Sequence, residues 1–386
     1  MARVLVGVSG GIAAYKACEL VRLFVKGGHE VFPLVTPGAE RFVRTETFFA
    51  LARRPRSDDL YPHLARADLL VIAPATANTI AKLAQGLADN LVTEAALAHR
   101  GPVLVAPAMN PRMWSHPATR ANVETLRSRG IELIGPDEGE TAEGELGVGR
   151  MAEPEEIYAR ARALLGESDS LRGRRVLVTA GGTREPLDAV RFLGNRSSGR
   201  MGVALAEAAR KRGADVTLLA ANLAVAVPKG VRVIETPTAD AMLEEARAHA
   251  DADVILMAAA VADYRPAAPL EAKRAKGDDT WQVELEPTTD ILRTLAAERT
   301  DGQILVGFAA DHGEQGLARA RRKLVAKGID LVVFNDVSRE DIGFDAAENE
   351  VVLIGADGER RLVKAAKDQI AAAVVDTAEE LLRERA

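Results

Sequence analysis

The chain carries two stretches that each read as strand, glycine turn, helix and strand, and this repeated pattern limits the fold more than any other feature. The first, ARVLVGVSGGIAAYKACELVRLFVKGGHEVFPLVT, has an apolar run ending at Ser9-Gly10-Gly11, an amphipathic segment, and a second apolar run after Gly27-Gly28. The second begins at GRRVLVTAGG, with a longer loop between its strand at 175–179 and its helix at about 199–212. Both patterns predict a βαβ unit.

Later apolar runs extend the same scheme, because they end in Pro/Gly loops and alternate with helical patterns. Such an alternation is typical of parallel sheets covered by helices on both faces. We therefore predict an α/β fold with two domains, residues 1–166 and 174–386, joined by the polar linker 167–173. Ligands of such sheets bind beyond the carboxyl ends of the strands, so candidate site residues should follow the strands.

Charge and composition exclude several classes of function. The formal net charge of −6 argues against binding nucleic acid through a basic surface. No apolar run approaches the roughly 20 residues of a membrane span and no signal peptide opens the chain, so we expect a soluble cytoplasmic protein with no membrane partner. The single cysteine, Cys18, excludes an internal disulfide and a cysteine-based zinc site.

Three motifs of the first half follow predicted strands. Ser9-Gly10-Gly11 suits a phosphate at a helix start, although a plain tight turn explains it equally well and no G-x-G-x-x-G is present. In APATANT, Thr76 and Asn78 offer hydrogen bonds, and a helix cap is the simpler interpretation. In APAMNPRMW, Asn110 fits either a cap beside core methionines or, as we favour, an amide that orients a carboxylate.

Two further stretches of the first half leave their role open. His63 is the only side chain of DLYPHLARADLL that titrates near neutrality, although a lone histidine is more often structural than catalytic. The stretch GETAEGELGVGRM, residues 139–151, is rich in glycine and has no aromatic side chain, so it predicts a mobile loop rather than part of a core.

The second half carries charged and polar motifs at corresponding places. GNRSSGRMG combines backbone donors, hydroxyls and guanidinium groups at a predicted helix start, which suits a phosphate or carboxylate, with an ordinary capped turn as the alternative. AAAVADYRP ends a strand with Asp263. The run EAKRAKGDD contains Lys273 and Lys276, and by itself it is typical of a solvated loop.

Taken in order, seven motifs resemble one family over nearly the full chain: SGGIAAYK, APATANTIAKLAQGLADNL, PAMNPRMW, GVGRM, TAGGTREPLDAVRFLGNRSSGRMG, AAAVADYRP and VGFAAD. The family is that of bifunctional coenzyme A biosynthesis proteins, in which phosphopantothenoylcysteine decarboxylase is fused to phosphopantothenate–cysteine ligase. The resemblance implies two Rossmann-like three-layer domains with mainly parallel sheets. The first would be a flavodoxin-like flavoprotein domain and the second a ligase domain.

For the first half the resemblance implies a decarboxylase that uses FMN to convert phosphopantothenoylcysteine to 4′-phosphopantetheine. The flavin oxidises the substrate thiol to a thioaldehyde, which takes up the electrons released with CO2, and a hydride then returns to the enethiol. Asn110 would hold the leaving carboxylate, and His63 would be the active-site base. The residues implied to hold FMN are Ser9, Gly10, Gly11, Thr36, Pro74, Thr76, Ala77, Asn78, Thr93, Ala108 and Met109.

GETAEGELGVGRM matches the family's substrate-recognition clamp, a segment with glycine hinges that folds over the substrate and excludes water. The family carries a cysteine as proton donor where this chain has Glu143, and a buried carboxyl with a raised pKa can also donate a proton. His63 lies five residues before Asp68, three fewer than in the family, which amounts to about one helical turn.

For the second half the resemblance implies a ligase that joins cysteine to 4′-phosphopantothenate. CTP activates the carboxylate as an acyl-cytidylate, the cysteine amine displaces CMP, and Mg²⁺ is bound through phosphate oxygens rather than a protein cage. Asn195 would position the intermediate, with Arg191 and Lys273 as further catalytic residues. The sequence TTDI stands where the family commonly has Asn-Pro-Asp-Ile. The residues implied to bind CTP are Asp263, Lys273, Thr289, Asp290, Ile291, Leu292, Phe308, Lys323 and Lys327.

The resemblance also implies a homo-oligomer, because its decarboxylases are trimers and its ligases are dimers. Both contacts on one chain give a larger closed assembly such as a dodecamer. Two alternatives stay open: a ligase whose first half binds flavin without completing decarboxylation, and a non-catalytic flavin-binding regulatory protein. An NAD-dependent dehydrogenase is disfavoured by the missing G-x-G-x-x-G.

Overall fold

The computed structural model of the protein describes residues 2–55, 67–142, 144–276, 279–338 and 348–385. It divides into two units, Met1–Glu167 and Ser168–Ala386, each built on its own sheet. Two predicted site residues, His63 and Glu143, lie outside the described residues. Among the described helices, none has the length and apolar character needed to cross a membrane.

The described part of the first unit contains one parallel sheet, seven α-helices and one antiparallel hairpin. The strands of its sheet are β1 (Arg3–Val8), β2 (Glu30–Val35), β3 (Leu69–Ala75), β4 (Val103–Pro107) and β5 (Glu132–Leu133), and the hairpin consists of β6 (Asp137–Glu140) and β7 (Leu146–Arg150). The described helices are α1 (Ala14–Lys26), α2 (Thr45–Leu51), α3 (Ala77–Gln85), α4 (Leu91–Ala98), α5 (Pro111–Ser115), α6 (Pro117–Ser128) and α7 (Pro154–Leu164), with a 3₁₀ turn at Ala39–Arg41.

The sheet of the first unit is buried on both faces, which explains its apolar strands. Val4, Val6 and Val8 belong to the hydrophobic cluster on one face and Leu5 to the cluster on the other, as the alternation of side chains along a strand requires. The strands lie in the order β2-β1-β3-β4-β5. This is the flavodoxin-like order, in which the ligand binds where the order reverses, between β1 and β3.

The second unit is built on a sheet of eight strands flanked by two small antiparallel pairs. Its strands are β8 (Arg175–Gly181), β9 (Arg184–Pro186), β10 (Phe192–Gly194), β11 (Asp215–Ala221), β12 (Arg232–Glu235), β13 (Val254–Met257), β14 (Tyr264–Pro266), β15 (Leu285–Pro287), β16 (Ile304–Asp311), β17 (Leu331–Asp336), β18 (Glu348–Gly355) and β19 (Gly358–Ala366). Its helices are α8 (Arg200–Lys211), α9 (Ala239–Ala248), α10 (Ile291–Glu298), α11 (Gly313–Lys327) and α12 (Lys367–Glu384).

The large sheet has the order β12-β11-β8-β13-β16-β17-β18-β19, and its first six strands are parallel. Those six have the Rossmann order 3-2-1-4-5-6, which again reverses beside the first strand of the unit. Helices α8 and α12 cover one face, and α9, α10 and α11 cover the other. The predicted class, α/β with two Rossmann-like three-layer domains, is confirmed.

Local predictions were confirmed where the pattern was strong. The helix predicted at 199–212 is α8, and both predicted βαβ units are present. The stretch 139–151, predicted to be a mobile loop, contributes Gly139, Glu140 and Leu146–Arg150 to the β6–β7 hairpin, so part of it is regular structure. The predicted linker packs on the second unit, where the side chain of Leu171 is buried in the core.

Candidate active sites

Ser9 ties together the loops that follow β1 and β3 in the first unit. Its buried side-chain hydroxyl donates a hydrogen bond to the Pro74 carbonyl oxygen at 2.8 Å. The same Oγ accepts a hydrogen bond from the Thr76 N–H at 3.1 Å. Because β1 and β3 flank the switch point of the sheet, these two predicted motifs meet where a ligand is expected.

Gly10 brings a third loop, the one after β2, to the same place. A Cβ atom on Gly10 would lie 2.8–2.9 Å from the backbone of Gly38, so no side chain fits there. Thr36 starts that loop, with its hydroxyl donating to the Val8 carbonyl at 3.1 Å. A Cβ on Gly11 would instead meet only Thr76 Cγ2, at an ordinary 3.7 Å.

The N-terminus of α3 faces this region with partly unsatisfied backbone donors. Thr76 is its N-cap and accepts a hydrogen bond from the Thr79 N–H at 3.3 Å, so the capping interpretation is confirmed. Ala77 and Asn78 lie in the first turn, where N–H groups have no acceptor within the helix. Such a helix start suits a phosphate.

Thr93 has a structural role that the sequence did not indicate. It is buried and forms a capping box with Asn90 at the start of α4. Its hydroxyl oxygen accepts from the Asp89 and Asn90 N–H groups and donates to the Asn90 carbonyl at 3.0 Å. Thr93 therefore fixes the entry into α4 whether or not a ligand contacts it.

Asn110 is held in one orientation at the end of β4. Its Oδ1 accepts a hydrogen bond from the Arg112 N–H at 2.9 Å, so Asn110 is the N-cap of α5, as the alternative interpretation predicted. Nδ2 donates to Glu145 Oε2 at 2.9 Å, while Arg112 Nη2 lies 3.1 Å from Glu145 Oε1. The amide and the guanidinium thus bind one carboxylate, that of Glu145, between them.

The hairpin β6–β7 lies against the segment after β4. The Met109 N–H donates to the Gly149 carbonyl at 3.0 Å, and the Ala108 N–H donates to the Ala75 carbonyl at 3.0 Å. A Cβ on Gly149 would lie 2.3 Å from the Met109 carbonyl oxygen, and one on Gly147 would lie 3.0 Å from Pro111. Gly147 and Gly149, which were interpreted as hinges, therefore allow the hairpin to approach the segment that bears Asn110 closely.

The end of the hairpin is anchored in the core of the first unit. Met151 is buried, and Lys16 Nζ donates to its carbonyl at 3.4 Å. Lys16 and Arg150 both pair with Glu153, at 2.8 and 2.7 Å. The residues that follow the glycines thus attach the hairpin to α1 and α7.

The second unit contains a cavity of about 650 Å³ beyond the carboxyl ends of β13 and β16. Arg191 and Lys273 are not among the residues that line it. Lining residues without a prediction include Arg319, Asn335 and Lys367, whose only signal in the sequence is their place near strand ends. The predicted residues that line it are Asn195, Asp263, Thr289, Asp290, Ile291, Leu292, Phe308, Lys323 and Lys327.

Positive charge prevails among the residues that line this cavity, with six cationic and three acidic side chains. Lys327 pairs with Asp290 at 2.9 Å and Arg319 with Asp311 at 2.5 Å. Lys323 donates to the Phe308 carbonyl, and burial together with the nearby Lys327 lowers its pKa to about 8. The arrangement suits a ligand with several negative charges.

Two amides add polar groups to the cavity. Asn195 Nδ2 donates to the Val261 carbonyl at 2.9 Å, which joins the loop after β10 to the loop after β13. The Oδ1 atom of Asn335 is buried without a hydrogen-bond partner among the described residues. A buried, unsatisfied acceptor in a cavity fits a donor group of a ligand.

Comparisons with known proteins match both units. Residues 1–166 match the family described as Flavoprotein, and residues 171–382 match the DNA/pantothenate metabolism flavoprotein C-terminal domain. The chain is 45% identical over 399 residues to the coenzyme A biosynthesis bifunctional protein CoaBC of Mycobacterium bovis, covering 97% of this chain and 95% of that protein. It is 42% identical over 374 residues to the protein of the same name in Bacillus subtilis, covering 93% and 91%. A solved C-terminal domain of a CoaBC is 36% identical with a TM-score of 0.48, covering 56% of this chain and all of that one.

Proposed function

The chain belongs to the family of bifunctional coenzyme A biosynthesis proteins, and on that premise we propose which reaction each unit carries out and with which residues. The protein is an enzyme with a decarboxylase and a ligase activity. We assign decarboxylation to 1–166 and ligation to 174–386, with 167–173 between them. The observation that supports both assignments is that the motif-bearing loops gather at the carboxyl ends of strands in each sheet.

The first unit is a flavoprotein domain, and we propose that its flavin is FMN. Ser9 and Gly10 hold the loops after β1, β2 and β3 close together, with no room for a side chain at Gly10. The N–H groups of Ala77 and Asn78, in the first turn of α3, support binding of a phosphate there. When bound, the flavin supplies the reversible oxidation of the substrate carbon next to the carboxylate-bearing one. The proposed FMN-binding residues are otherwise those named from the sequence.

In the decarboxylase, Asn110 holds the carboxylate that leaves as CO2. Support comes from its contact with Glu145, since that side chain shows that the Asn110 amide and the Arg112 guanidinium accommodate a carboxylate together. The β6–β7 hairpin limits the access of water to this carboxylate site. His63 as base and Glu143 as proton donor remain proposals from the sequence.

In the ligase, the cavity of the second unit binds CTP and 4′-phosphopantothenate. The excess of cationic side chains supports a site for a triphosphate, with Lys323 and Lys327 among its binding residues. The free Oδ1 of Asn335 suits a donor group on the nucleotide. Asn195, held by the Val261 carbonyl, lies where it can orient the activated carboxylate.

The proposal has three further parts. Mg²⁺ binds through the phosphate oxygens of CTP. The chain assembles through trimeric decarboxylase and dimeric ligase contacts into a closed homo-oligomer such as a dodecamer. The enzyme acts in the cytoplasm.

The direct test uses the purified full chain with 4′-phosphopantothenate, cysteine, CTP and Mg²⁺. We expect CTP-dependent release of pyrophosphate and, in the mass spectrum, conversion of phosphopantothenoylcysteine to 4′-phosphopantetheine. A product that has lost CO2 but lacks two hydrogens would show that the final reduction fails and that Glu143 does not act as its proton donor. Pyrophosphate release without decarboxylation would favour the ligase-only alternative. The absence of both reactions would favour the regulatory alternative.

The lowered pKa of Lys323 leads to a prediction of how ligation depends on pH. Its protonated amine attracts a triphosphate, and its pKa of about 8 means that this charge is present at neutral pH and lost above it. We expect KM for CTP to rise by about tenfold between about pH 7 and about pH 9. Steady-state kinetics across this range, with decarboxylation as the internal control, measure the rise.

The variant Lys323→Met tests whether that one amine is responsible. Its KM for CTP should be high throughout the range and nearly independent of pH. An unchanged rise in Lys323→Met would assign the pH dependence to another group and reject this prediction.

A further inference from the structure

Asp188, in the turn between β9 and β10, has a fully buried carboxylate that is saturated with donors. Its Oδ1 accepts from the N–H groups of Val190 at 2.8 Å and Arg191 at 2.7 Å. Its Oδ2 accepts from Arg191 Nη1 at 2.7 Å and from the Arg274 N–H at 3.2 Å. Burial opposes ionisation, but these donors outweigh it and lower the pKa of Asp188 to about 2. The group is therefore an anion at any pH at which the enzyme works.

This anion joins two segments that are far apart in the sequence. The backbone of Arg274 is held at both ends, since its N–H donates to Asp188 and its carbonyl accepts from Arg191 Nη1 at 3.2 Å. Nearby, the Leu270 N–H donates to the Leu187 carbonyl at 3.0 Å. The ring of Trp281 lies 5.7 Å from the Arg191 guanidinium and 4.9 Å from that of Arg274.

The link through Asp188 is important because the segments that it joins carry Lys273 and Asn195, two predicted catalytic residues. Lys273 directly precedes Arg274, so its backbone is one peptide away from the held N–H. Asn195 follows Arg191 by four residues on the β9–β10 side of the link, and it lines the cavity. The exposed side chain of Lys273 does not line the cavity, so where its amine can reach depends on where its backbone is held.

We propose that Asp188 is a positioning residue of the ligase, which sets the backbone of Lys273 relative to Asn195 and the cavity. The proposal rests on the ligase function proposed above. Asp188 itself contacts Val190, Arg191 and Arg274 and acts through Lys273. An asparagine of the same shape cannot replace it, because one of its two side-chain heteroatoms would present N–H groups to the Arg191 or Arg274 donors.

The test is a double-mutant cycle of Asp188→Asn and Lys273→Gln in the full chain, with pyrophosphate release as the readout. We expect Asp188→Asn to lower kcat/KM by about 100-fold, because displacing a reacting group by about 1 Å has an effect of that size. In the Lys273→Gln background the same change should cost no more than about threefold, because the two residues act through one amine. Multiplicative losses would show that Asp188 acts independently of Lys273 and would overturn the proposal.

Two variants at Arg274 separate the backbone link from side-chain effects. Arg274→Ala keeps the N–H and carbonyl, so ligation should stay within about threefold of wild type. Arg274→Pro removes the N–H that Asp188 accepts and also restricts the backbone of Lys273 directly, so it should lower ligation at least as much as Asp188→Asn. It also decides the matter if Asp188→Asn does not fold, because full activity in Arg274→Pro would overturn the proposal.

Bound flavin and decarboxylation report on the first unit in every variant. Wild-type protein that releases no pyrophosphate would reject the ligase function itself. Active wild type with an unaffected Asp188→Asn variant would reject only the positioning role.

Discussion

Replacing Gly10 by alanine should deprive the first unit of its flavin while ligation in the second unit continues. The added Cβ would lie 2.8–2.9 Å from the Gly38 backbone, and no flexible side chain is there to move aside. The loops after β1 and β2 must then separate by roughly 0.5 Å, which disrupts the arrangement of loops that Ser9 and Thr76 complete. Overpacking of this kind typically costs about 1–3 kcal/mol, so flavin should bind about 5- to 150-fold more weakly. Flavin absorbance of the purified protein, with and without added FMN, measures the loss.

Gly11→Ala is the matched comparison for this prediction. Its Cβ meets only Thr76 Cγ2, at 3.7 Å, so the protein itself accommodates it. Flavin loss in Gly11→Ala with a stable fold would indicate that the ligand passes close to Gly11. Full flavin occupancy in Gly10→Ala would contradict the assignment of these loops to the flavin site.

Replacing Gly149 by alanine should lower the rate of decarboxylation by about 100-fold and leave flavin binding intact. The new Cβ would lie 2.3 Å from the Met109 carbonyl oxygen and 3.2 Å from the Pro111 nitrogen, so the hairpin must move away from the segment that bears Asn110. The backbone on either side of Asn110 would be displaced as well, and displacement by about 1 Å at a reacting centre lowers turnover by about 100-fold. The rate of CO2 release per bound flavin measures the effect.

Val148→Ala is the control on the same strand. Val148 is exposed and its backbone is unchanged by the substitution, so turnover should remain close to wild type. Wild-type turnover in Gly149→Ala would mean that contact between the hairpin and Met109 is dispensable. Loss of flavin from Gly149→Ala would place the hairpin in cofactor binding instead of catalysis.

Strong local patterns made much of the fold predictable. Local sterics and burial determine strands and turns over only a few residues. The apolar runs of β1 and β3 and the glycines after β1 were therefore predictable. The cap at Thr76 was predictable for the same reason, since an N-cap hydrogen bond spans only three residues. The stretch 139–151 was predicted to be a loop because glycines signal turns locally, whereas Gly147 and Gly149 here allow close packing of a strand against Met109 and Pro111.

The sequence by itself determined the α/β class, the two βαβ starts and the motifs that follow the strands, because hydrophobic period and turn chemistry are properties of neighbouring residues. Only the tertiary structure decided three hydrogen bonds: Thr76 N–H to Ser9, the Asn110 amide to Glu145, and the Arg274 N–H to Asp188. These contacts join residues 67, 35 and 86 positions apart, so they follow from strand order and loop packing. No local pattern specifies such pairs, since chain folding brings them together only after the sheets have formed.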